Sequence, residues 1–276
     1  MRYGLIGAGR VGAAFFYQLK RAGFEISGIY DIKRESIKKA KSILGKEFYI
    51  PIKKLIRSSD VLFIATSDAQ IKNVYRRINN NLNSGTFLYH FSGSLPARIL
   101  KNKNIHQGSL HPLGTFPDYQ AYKKLKSYYF GLEGDKTALT VAKRILNKIS
   151  LKYLVVKSDR KTVYHLASVF GSNLIVGLLT MAQSLAEYSG IDRDKFIKFF
   201  IPLIAGTVAD IKIKGLAGSL SGPVERSEIA TIKRHQRELK KIGPGYLKTY
   251  NLLSSYLLKL TPRHKKGKIS KILNVH

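Results

Sequence analysis

The sequence predicts an α/β protein, a doubly wound parallel sheet followed by an all-helical C-terminal domain. Over residues 1–157, short apolar runs alternate with helical patterns, which is typical of repeated strand–helix–strand units. Over residues 158–276 the strand pattern ends and helical periodicity remains. We therefore predict two domains, with bounds 1–157 and 158–276.

The predicted strands are apolar runs that stop at turn-forming residues. The run Asp60–Ala65 is unbroken, as in a parallel strand that is buried on both faces. The other predicted strands are Tyr3–Ile6, Ile26–Tyr30, Phe48–Ile50, Phe87–Tyr89, Ile105–Leu110, Tyr128–Leu132 and Tyr153–Val156. The predicted C-terminal helices run from Ser158 to about Tyr188, from Arg193 to Lys214, from Gly222-Pro223 onward and from Pro244 onward.

Composition narrows the class of protein. The 276 residues are 44% apolar, as in a globular protein, and the absence of cysteine excludes disulfides, thiolate metal sites and a cysteine nucleophile. The start of the chain has no signal-peptide pattern. The longest apolar stretch, Val163–Ala186, carries polar residues that suit a buried core helix better than a membrane span. We expect a cytoplasmic protein with no membrane partner.

The charge is strongly positive, with 48 lysines and arginines against 17 acidic residues. The excess is spread over both halves of the chain, and only the tail Arg263–Lys268 concentrates it. This tail is either a solvated segment or a contact for an anionic partner. We expect non-specific nucleic-acid binding at low salt and no specific nucleic-acid partner.

A glycine-rich turn joins the first predicted strand to the first helix. In the GxGxxG pattern, the first glycine allows the tight turn, the second allows close approach of a pyrophosphate, and the third lets the helix pack on the sheet. The helix N-terminus adds free N–H groups for phosphate. The predicted cofactor-binding residues are Gly7, Ala8, Gly9, Arg10, Val11, Gly12, Asp31, Thr66 and Ser67.

Asp31 ends the second predicted strand, at the position that contacts the ribose in dinucleotide-binding domains. A carboxylate there accepts hydrogen bonds from a free ribose diol and repels a 2′-phosphate, which favours NAD. Lys33 and Arg34 follow and could hold a phosphate, so NADP stays open.

Four segments together resemble a known family: the glycine-rich turn, Ser92-Gly93-Ser94, His111–Phe116, and Tyr164–Asn173 with Gly222–Arg226. They are similar to proteins in which a Rossmann-like domain precedes the helical "domain of unknown function 2520", distant relatives of pyrroline-carboxylate, ketopantoate and hydroxyacid reductases. The resemblance implies a dinucleotide-binding fold, oxidoreductase chemistry and a homodimer that pairs its helical domains. It supplies no substrate.

The chain departs from these relatives at three places. Asp31-Ile32 stands where relatives often carry Ser-Arg, and Ser227-Glu228 stands where they tend to show Gly-Asp. Val169 occupies the place of a lysine that hydroxyacid dehydrogenases carry four residues before the equivalent of Asn173. Lysine-based proton transfer therefore cannot be carried over, and we expect a histidine to act instead.

The candidate catalytic residues are His111, His165 and Asn173. Histidine suits proton transfer because its ordinary pKa is about 6.5. His111 ends a predicted strand, and its alternative role is to bond loop backbone. His165 shares a helix face with Ser168 and Ser172, which either lines a pocket or forms a solvated edge. Asn173 either orients a substrate carbonyl or is a satisfied core amide.

The candidate substrate-binding residues are Ser92, Gly93, Ser94 and Arg226. The first three offer hydroxyls and N–H groups to an anion, or form a plain turn. Arg226, placed in the first turn of a predicted helix, either clamps a substrate carboxylate or pairs with Glu225 or Glu228. No His/Asp/Glu spacing suits a metal, and we predict none.

The sequence therefore predicts an NAD(P)-dependent oxidoreductase that acts on a small carboxylated carbonyl or imine compound. The alternative is a dinucleotide-binding sensor or scaffold without turnover, which the missing lysine favours. A third, weaker hypothesis is nucleic-acid binding through the basic surface.

Overall fold

The computed structural model describes residues 1–45 and 48–273, and within them seven strands form one sheet. The strands are β1 (Arg2–Ile6), β2 (Glu25–Tyr30), β3 (Val61–Ile64), β4 (Phe87–His90), β5 (His106–Leu113), β6 (Tyr129–Gly134) and β7 (Lys152–Val155). Their order across the sheet is β2-β1-β3-β4-β5-β6-β7. All neighbours are parallel except β5 and β6, which pair antiparallel.

The sheet is mostly parallel, as the sequence predicts, but β6 and the neighbouring β7 run opposite to β1–β5. The connection from β5 to β6 holds only the short 3₁₀ turns Tyr119–Lys123 and Leu125–Ser127. Without a crossover helix, the chain returns beside β5 in the opposite direction. The predicted strand Phe48–Ile50 is also reduced, to a single bridge between Ile29 and Tyr49.

Helices cover both faces of the sheet. The helices of this part are α1 (Arg10–Arg21), α2 (Arg34–Leu44), α3 (Ile52–Ser58), α4 (Asp68–Ile78), α5 (Lys136–Lys148) and α6 (Lys161–Phe170). One apolar cluster, centred on Phe15 and Phe63, joins the sheet to α1, α2 and α5. A second, with Leu62 and Ile71, joins it to α3 and α4. Burial on both faces explains why the β3 segment is apolar throughout.

The chain divides into two compact units, Met1–Asn173 and Leu174–His276, a division later in the chain than the boundary predicted at 157. The long helix predicted from Ser158 is interrupted after Phe170, and α7 (Asn173–Tyr188) follows. Side chains of α6 and α7 are mostly exposed, so the expectation of a buried core helix is wrong for the single chain. By length and composition, the stretch Ser158–Tyr188 could cross a membrane, which alone is weak evidence for a membrane span.

Up to residue 273, the second unit contains four further helices. They are α8 (Arg193–Gly218), α9 (Ile229–Ile242), α10 (Pro244–Leu258) and α11 (Arg263–Leu273). The helix predicted to open at Pro223 begins later, because Ser227 has a φ of 59°, in the left-handed region. Arg226 therefore lies in a turn before α9 rather than in a first helical turn. The side chains of residues 263–266 and 268 lie outside the described residues, and so does the predicted role of the basic tail.

Candidate active site

The glycine-rich turn has the geometry that its sequence pattern predicts. Gly7 has a φ of 101°, and a Cβ there would lie 2.8 Å from the Ala65 carbonyl carbon. A Cβ on Gly12 would lie 2.5 Å from the Gly7 carbonyl oxygen. At Gly9, by contrast, the nearest atom to a Cβ would be 3.9 Å away. Two glycines are thus required for packing, whereas Gly9 leaves an open backbone surface at the start of α1.

Asp31 ties this turn to the end of β2. One carboxylate oxygen accepts the Ala8 N–H at 2.7 Å, and the other accepts the Lys33 N–H at 2.7 Å. The Gly7 N–H donates to the Tyr30 carbonyl at 2.8 Å. Each carboxylate oxygen keeps a second lone pair, so Asp31 can hold the turn and still accept a hydroxyl hydrogen bond.

A cleft of about 480 Å³ begins at this turn. Gly7, Gly9, Asp31, Thr66 and Ser67 line it, five of the positions predicted to bind the cofactor. The cations that line the same cleft are Lys33, Lys53 and Arg77. Within the described chain, the Thr66 hydroxyl is buried and has no hydrogen-bond partner.

Two further predicted residues of the turn, Ala8 and Arg10, contact the connection that follows β5. Tyr119 donates its hydroxyl hydrogen to the Ala8 carbonyl at 3.1 Å, and Arg10 donates to the Pro117 carbonyl at 2.7 Å. Val11 is partly buried against the apolar core. The cradle that a Cβ would fill, the open space beside the half-buried Gly9 and the unpartnered Thr66 hydroxyl together fit a dinucleotide.

A second cluster lies at the ends of β4 and β5. The His111 Nδ1 is 3.0 Å from the Tyr164 hydroxyl oxygen, and the His111 and His165 rings are 5.6 Å apart, centre to centre. A Cβ on Gly93 would overlap the His165 ring and lie 2.7 Å from His111 Nε2. The structure thus brings together His111, His165 and Gly93, which were predicted separately. We call His111, Tyr164 and His165 the histidine cluster.

The hydroxyls of Ser92 and Ser94 are bound to a carboxylate of the chain itself. Both donate to one oxygen of Asp68, at 2.6 and 2.8 Å. The Ser92 oxygen also accepts the N–H groups of Ser94 and Leu95, at 3.2 and 3.0 Å. A substrate anion at these hydroxyls would have to replace Asp68, and the predicted contact stays a prediction.

Two other predicted residues have exposed side chains. Asn173 is exposed at the start of α7. Arg226 is exposed, and its Nε lies 2.6 Å from a carboxylate oxygen of Glu228, one of the two acidic partners considered from the sequence. The roles of Asn173 and Arg226 in substrate binding stay predictions. In residues 1–45 and 48–273, no group of three or more His, Asp or Glu side chains could hold a metal ion.

A buried ion pair beside the cluster was missed by the sequence analysis. Lys161 and Glu133 are each 2% exposed, and Lys161 Nζ lies 3.6 Å from a Glu133 oxygen. Lys161 also donates to the Ser109 hydroxyl. The available signals were a lone glutamate in the apolar strand β6 and a lysine on the helix face that carries Tyr164 and His165. Neither signal is specific.

Burial dominates the electrostatics of this region. Desolvation, then the charges of His165 and Lys161, lowers the pKa of His111 to about 4. Burial, then Lys161, lowers the pKa of His90 to about 3. Burial lowers the pKa of Lys161 to about 8 against the opposing effect of Glu133, and burial raises the pKa of Tyr164 to about 12. His111 and His90 are therefore neutral at neutral pH, whereas Lys161 is mostly charged.

Comparisons with known proteins agree with this architecture. The model of a Rossmann-like domain matches residues 1–117, and the model "Domain of unknown function (DUF2520)" matches residues 128–257. No curated protein matches the chain.

Solved structures resemble the chain over nearly its whole length. The protein TM1727 from Thermotoga maritima is 28% identical, with a TM-score of 0.75, over 94% of this chain and 97% of that one. A protein provisionally named an NADP oxidoreductase from Bacteroides fragilis is 22% identical, with a TM-score of 0.73, over 93% and 97%. Plasmodium falciparum pyrroline carboxylate reductase with NADP bound is 14% identical, with a TM-score of 0.57, over 95% and 98%. At such identities the last two show the shared fold alone.

Proposed function

Because this chain belongs to the proteins that join a Rossmann-like domain to a DUF2520 domain, we propose that it is an NAD(P)-dependent oxidoreductase. The observation that carries the proposal is the position of two features at the carboxyl edge of one sheet. The glycine-rich turn follows β1, and the histidine cluster lies at the ends of β4 and β5. Three strand spacings, roughly 14 Å, separate β1 from β5, and a dinucleotide binds across such an edge.

The proposed cofactor residues are those of the turn and the cleft. The open Gly9 backbone and the first N–H groups of α1 bind the pyrophosphate, and the Thr66 hydroxyl is a free donor beside it. When bound, NADH or NADPH supplies a hydride. Asp31 accepts the ribose hydroxyls of NAD, whereas Lys33, Lys53 and Arg77 give the cleft the charge to hold the phosphate of NADP.

In the proposed reaction, the histidine cluster acts on the substrate. Reduction of a carbonyl or imine requires a hydrogen-bond donor at the developing anion and a proton. The His111 Nδ1 contacts Tyr164, so its Nε2, which lies beside Gly93, is the atom that can face a substrate. His165 also lies beside Gly93 and is the second imidazole of the site. We propose a small carboxylated carbonyl or imine compound as the substrate, with His111 or His165 as the proton donor.

The test combines binding and turnover. Calorimetric titration with NADH and with NADPH should give a dissociation constant, and a panel of keto acids and cyclic imines should include compounds that the protein reduces. His111→Asn and His165→Asn, measured singly, should show a loss of about 10²–10⁴ in turnover in the variant that lacks the donor. Binding without turnover on the whole panel would instead favour the sensor or scaffold function. If neither NADH nor NADPH binds, both the oxidoreductase and the sensor or scaffold function are overturned.

We also propose that the protein is a cytoplasmic homodimer held by its second unit. Helix α8, which is broken by the non-helical backbone of Gly215 (φ 70°, ψ 178°), has only Phe196 buried. The large apolar side chains that it exposes are Ile197, Phe199, Ile201, Leu203, Val208, Ile211, Ile213 and Leu216. A helix that exposes this many large apolar side chains requires a cover. An apolar groove of about 540 Å³, between α7, α9 and α10 of the same unit, is a surface that α8 of a second copy could fill.

Sedimentation equilibrium tests the dimer. The wild-type protein should have an apparent mass of twice the chain mass of 31.0 kDa. The variant Leu203→Glu on α8 should have the mass of a single chain. Lys212→Gln is the control, because it makes the same change of one unit in net charge at an already polar position of α8. A wild-type monomer that binds lipid vesicles would replace the dimer with a membrane-bound protein.

A further inference from the structure

The buried ion pair beside the histidine cluster has no part in the proposed reaction. Lys161 lies between Glu133 and the Ser109 hydroxyl, and all three side chains are almost fully buried. Glu133 also accepts the Ala97 N–H at 2.6 Å and the Ser158 hydroxyl. Taking two charges out of water is costly, and only good geometry with further hydrogen bonds offsets that cost. Here those bonds join Lys161 and Glu133 to three separate parts of the chain.

The strands place this ion pair in register with the histidine cluster. In the β5–β6 ladder, Ser109 lies opposite Glu133, and His111 lies opposite Gly131. Ser109 and His111 are two residues apart on β5, so their side chains leave the same face of the sheet. Two neighbouring sites for side chains of a covering helix therefore lie on this face of the sheet. The first is lined by Ser109 and Glu133, and the second by His111 and Gly131.

Helix α6 occupies both sites. Lys161 and Tyr164 are three residues apart, so they share a face of the helix. Lys161 enters the first site, and Tyr164 enters the second, where it meets His111. A Cβ on Gly131 would overlap the Tyr164 hydroxyl, so the glycine is what leaves room for the tyrosine. His165, the next residue, then faces His111.

We propose that Lys161 is a positioning residue for the histidine cluster. By anchoring the first turn of α6 to β5 and β6, it sets where Tyr164 and His165 meet His111. Val169 stands at the place of the lysine of hydroxyacid dehydrogenases, and Lys161, two turns earlier on α6, contacts the strands rather than the cluster. The inference rests on the proposed oxidoreductase function for its kinetic test alone.

The charge of Lys161 gives this role a measurable signature. The ionisable groups that act on His111 are Tyr164, His165 and Lys161 from α6, Asp68 from α4 and His90 from β4. Burial and the positive charges of His165 and Lys161 lower the pKa of His111, and Asp68 opposes them. Loss of the Lys161 charge should therefore raise the pKa of His111.

The test uses Lys161→Met, which keeps the length of the side chain and removes its charge. Nuclear magnetic resonance of labelled histidine should show a higher pKa for His111 and a weaker nuclear Overhauser contact between the His111 and Tyr164 rings. The kcat should fall at least about tenfold, whereas the affinity for NAD(P)H should stay within about twofold, because the glycine-rich turn lies three strands away. Arg160→Met, which removes a neighbouring exposed cation, should change none of these.

Two further variants keep the test decisive. If Lys161→Met does not fold, the double variant Lys161→Met with Glu133→Gln removes both buried charges and keeps an acceptor for Ala97. Lys161→Arg, which retains the charge, should restore part of the lost kcat. If the wild-type protein reduces nothing, the proposed function fails, but the resonance experiment still decides the inference. An unchanged His111 titration and an unchanged ring contact in a folded variant would overturn it.

Discussion

Protonation of His90 should make the protein sensitive to acid. His90 is 0% exposed, and its Nδ1 accepts the Ser92 N–H at 3.1 Å, so the folded state holds it as a neutral imidazole. Its pKa is lowered from 6.5 to about 3, chiefly by burial and then by the charge of Lys161. In the unfolded chain the same group takes up a proton below pH 6.5. The unfolded state therefore binds more protons in this range, and the folded state loses stability as the pH falls.

The magnitude follows from the lowered pKa. The stabilisation is fully present above pH 6.5 and is lost progressively as the pH falls from 6.5 to about 3. At about pH 5, one and a half units below the ordinary value, the loss is about 2 kcal/mol, because each unit is worth about 1.4 kcal/mol. His111, whose pKa is lowered to about 4, adds a further loss of the same sign. Its ring is partly exposed, so its share should be smaller.

Urea unfolding at about pH 7.5 and about pH 5, followed by far-ultraviolet circular dichroism, measures this difference. His90→Asn is the informative variant, because its side-chain oxygen can still accept the Ser92 N–H and it does not titrate. The free energy of unfolding of this variant should fall about 2 kcal/mol less than that of the wild type between the two pH values. An equal fall in both proteins would refute the assignment of the acid sensitivity to His90.

Three further substitutions test the two halves of the site. Gly12→Ala places a Cβ 2.5 Å from the Gly7 carbonyl oxygen, so the affinity for NAD(P)H should fall at least about tenfold, as measured by calorimetry. The control variant Gly245→Ala, whose Cβ would meet no atom within 4 Å, should leave this affinity unchanged. Asp31→Asn removes the charge that repels a 2′-phosphate, so the ratio of NADPH to NADH affinity should rise about tenfold, and an unchanged ratio would exclude Asp31 as the determinant. Gly93→Ala should push apart the rings of the histidine cluster and lower kcat about 10²-fold with unchanged nucleotide affinity.

The features that the sequence predicts well are local ones. The glycine pattern Gly7–Gly12 follows a strand and opens a helix, and its first and third glycines are required by contacts within a few residues or with the adjacent β3. The buried strand β3 is evident from an unbroken apolar run, because both of its faces are covered. The placement of His111 follows from the rule that functional residues collect at the carboxyl ends of parallel strands, whereas His165 lies on α6 and meets His111 only through the packing of that helix.

The features that the sequence does not predict depend on distant parts of the chain. The antiparallel direction of β6 follows from the irregular connection after β5, which carries no periodic pattern. Lys161 and Glu133 are 28 positions apart, and each alone is typical of a solvated surface. Only the pairing of β5 with β6 makes Glu133 the neighbour of Ser109 and so gives the lysine its partners.

The neutral state of His111 constrains the source of the proton. With a pKa of about 4, His111 has one ring N–H at neutral pH and no surplus proton to give. Where the Tyr164 hydroxyl donates to Nδ1, the ring N–H is on Nε2. If Nε2 gives its proton to the substrate, Nδ1 takes the Tyr164 proton at the same time, and water must then return a proton to the partly exposed Tyr164 oxygen. Tyr164→Phe separates this relay from direct donation by His165, because it removes the hydroxyl and keeps the ring. If the relay operates, Tyr164→Phe should lower kcat about 10²-fold, and His165→Asn should lower it much less. A larger loss of kcat in His165→Asn than in Tyr164→Phe would make His165 the donor. A wild-type kcat in both variants would exclude both Tyr164 and His165 from the reaction.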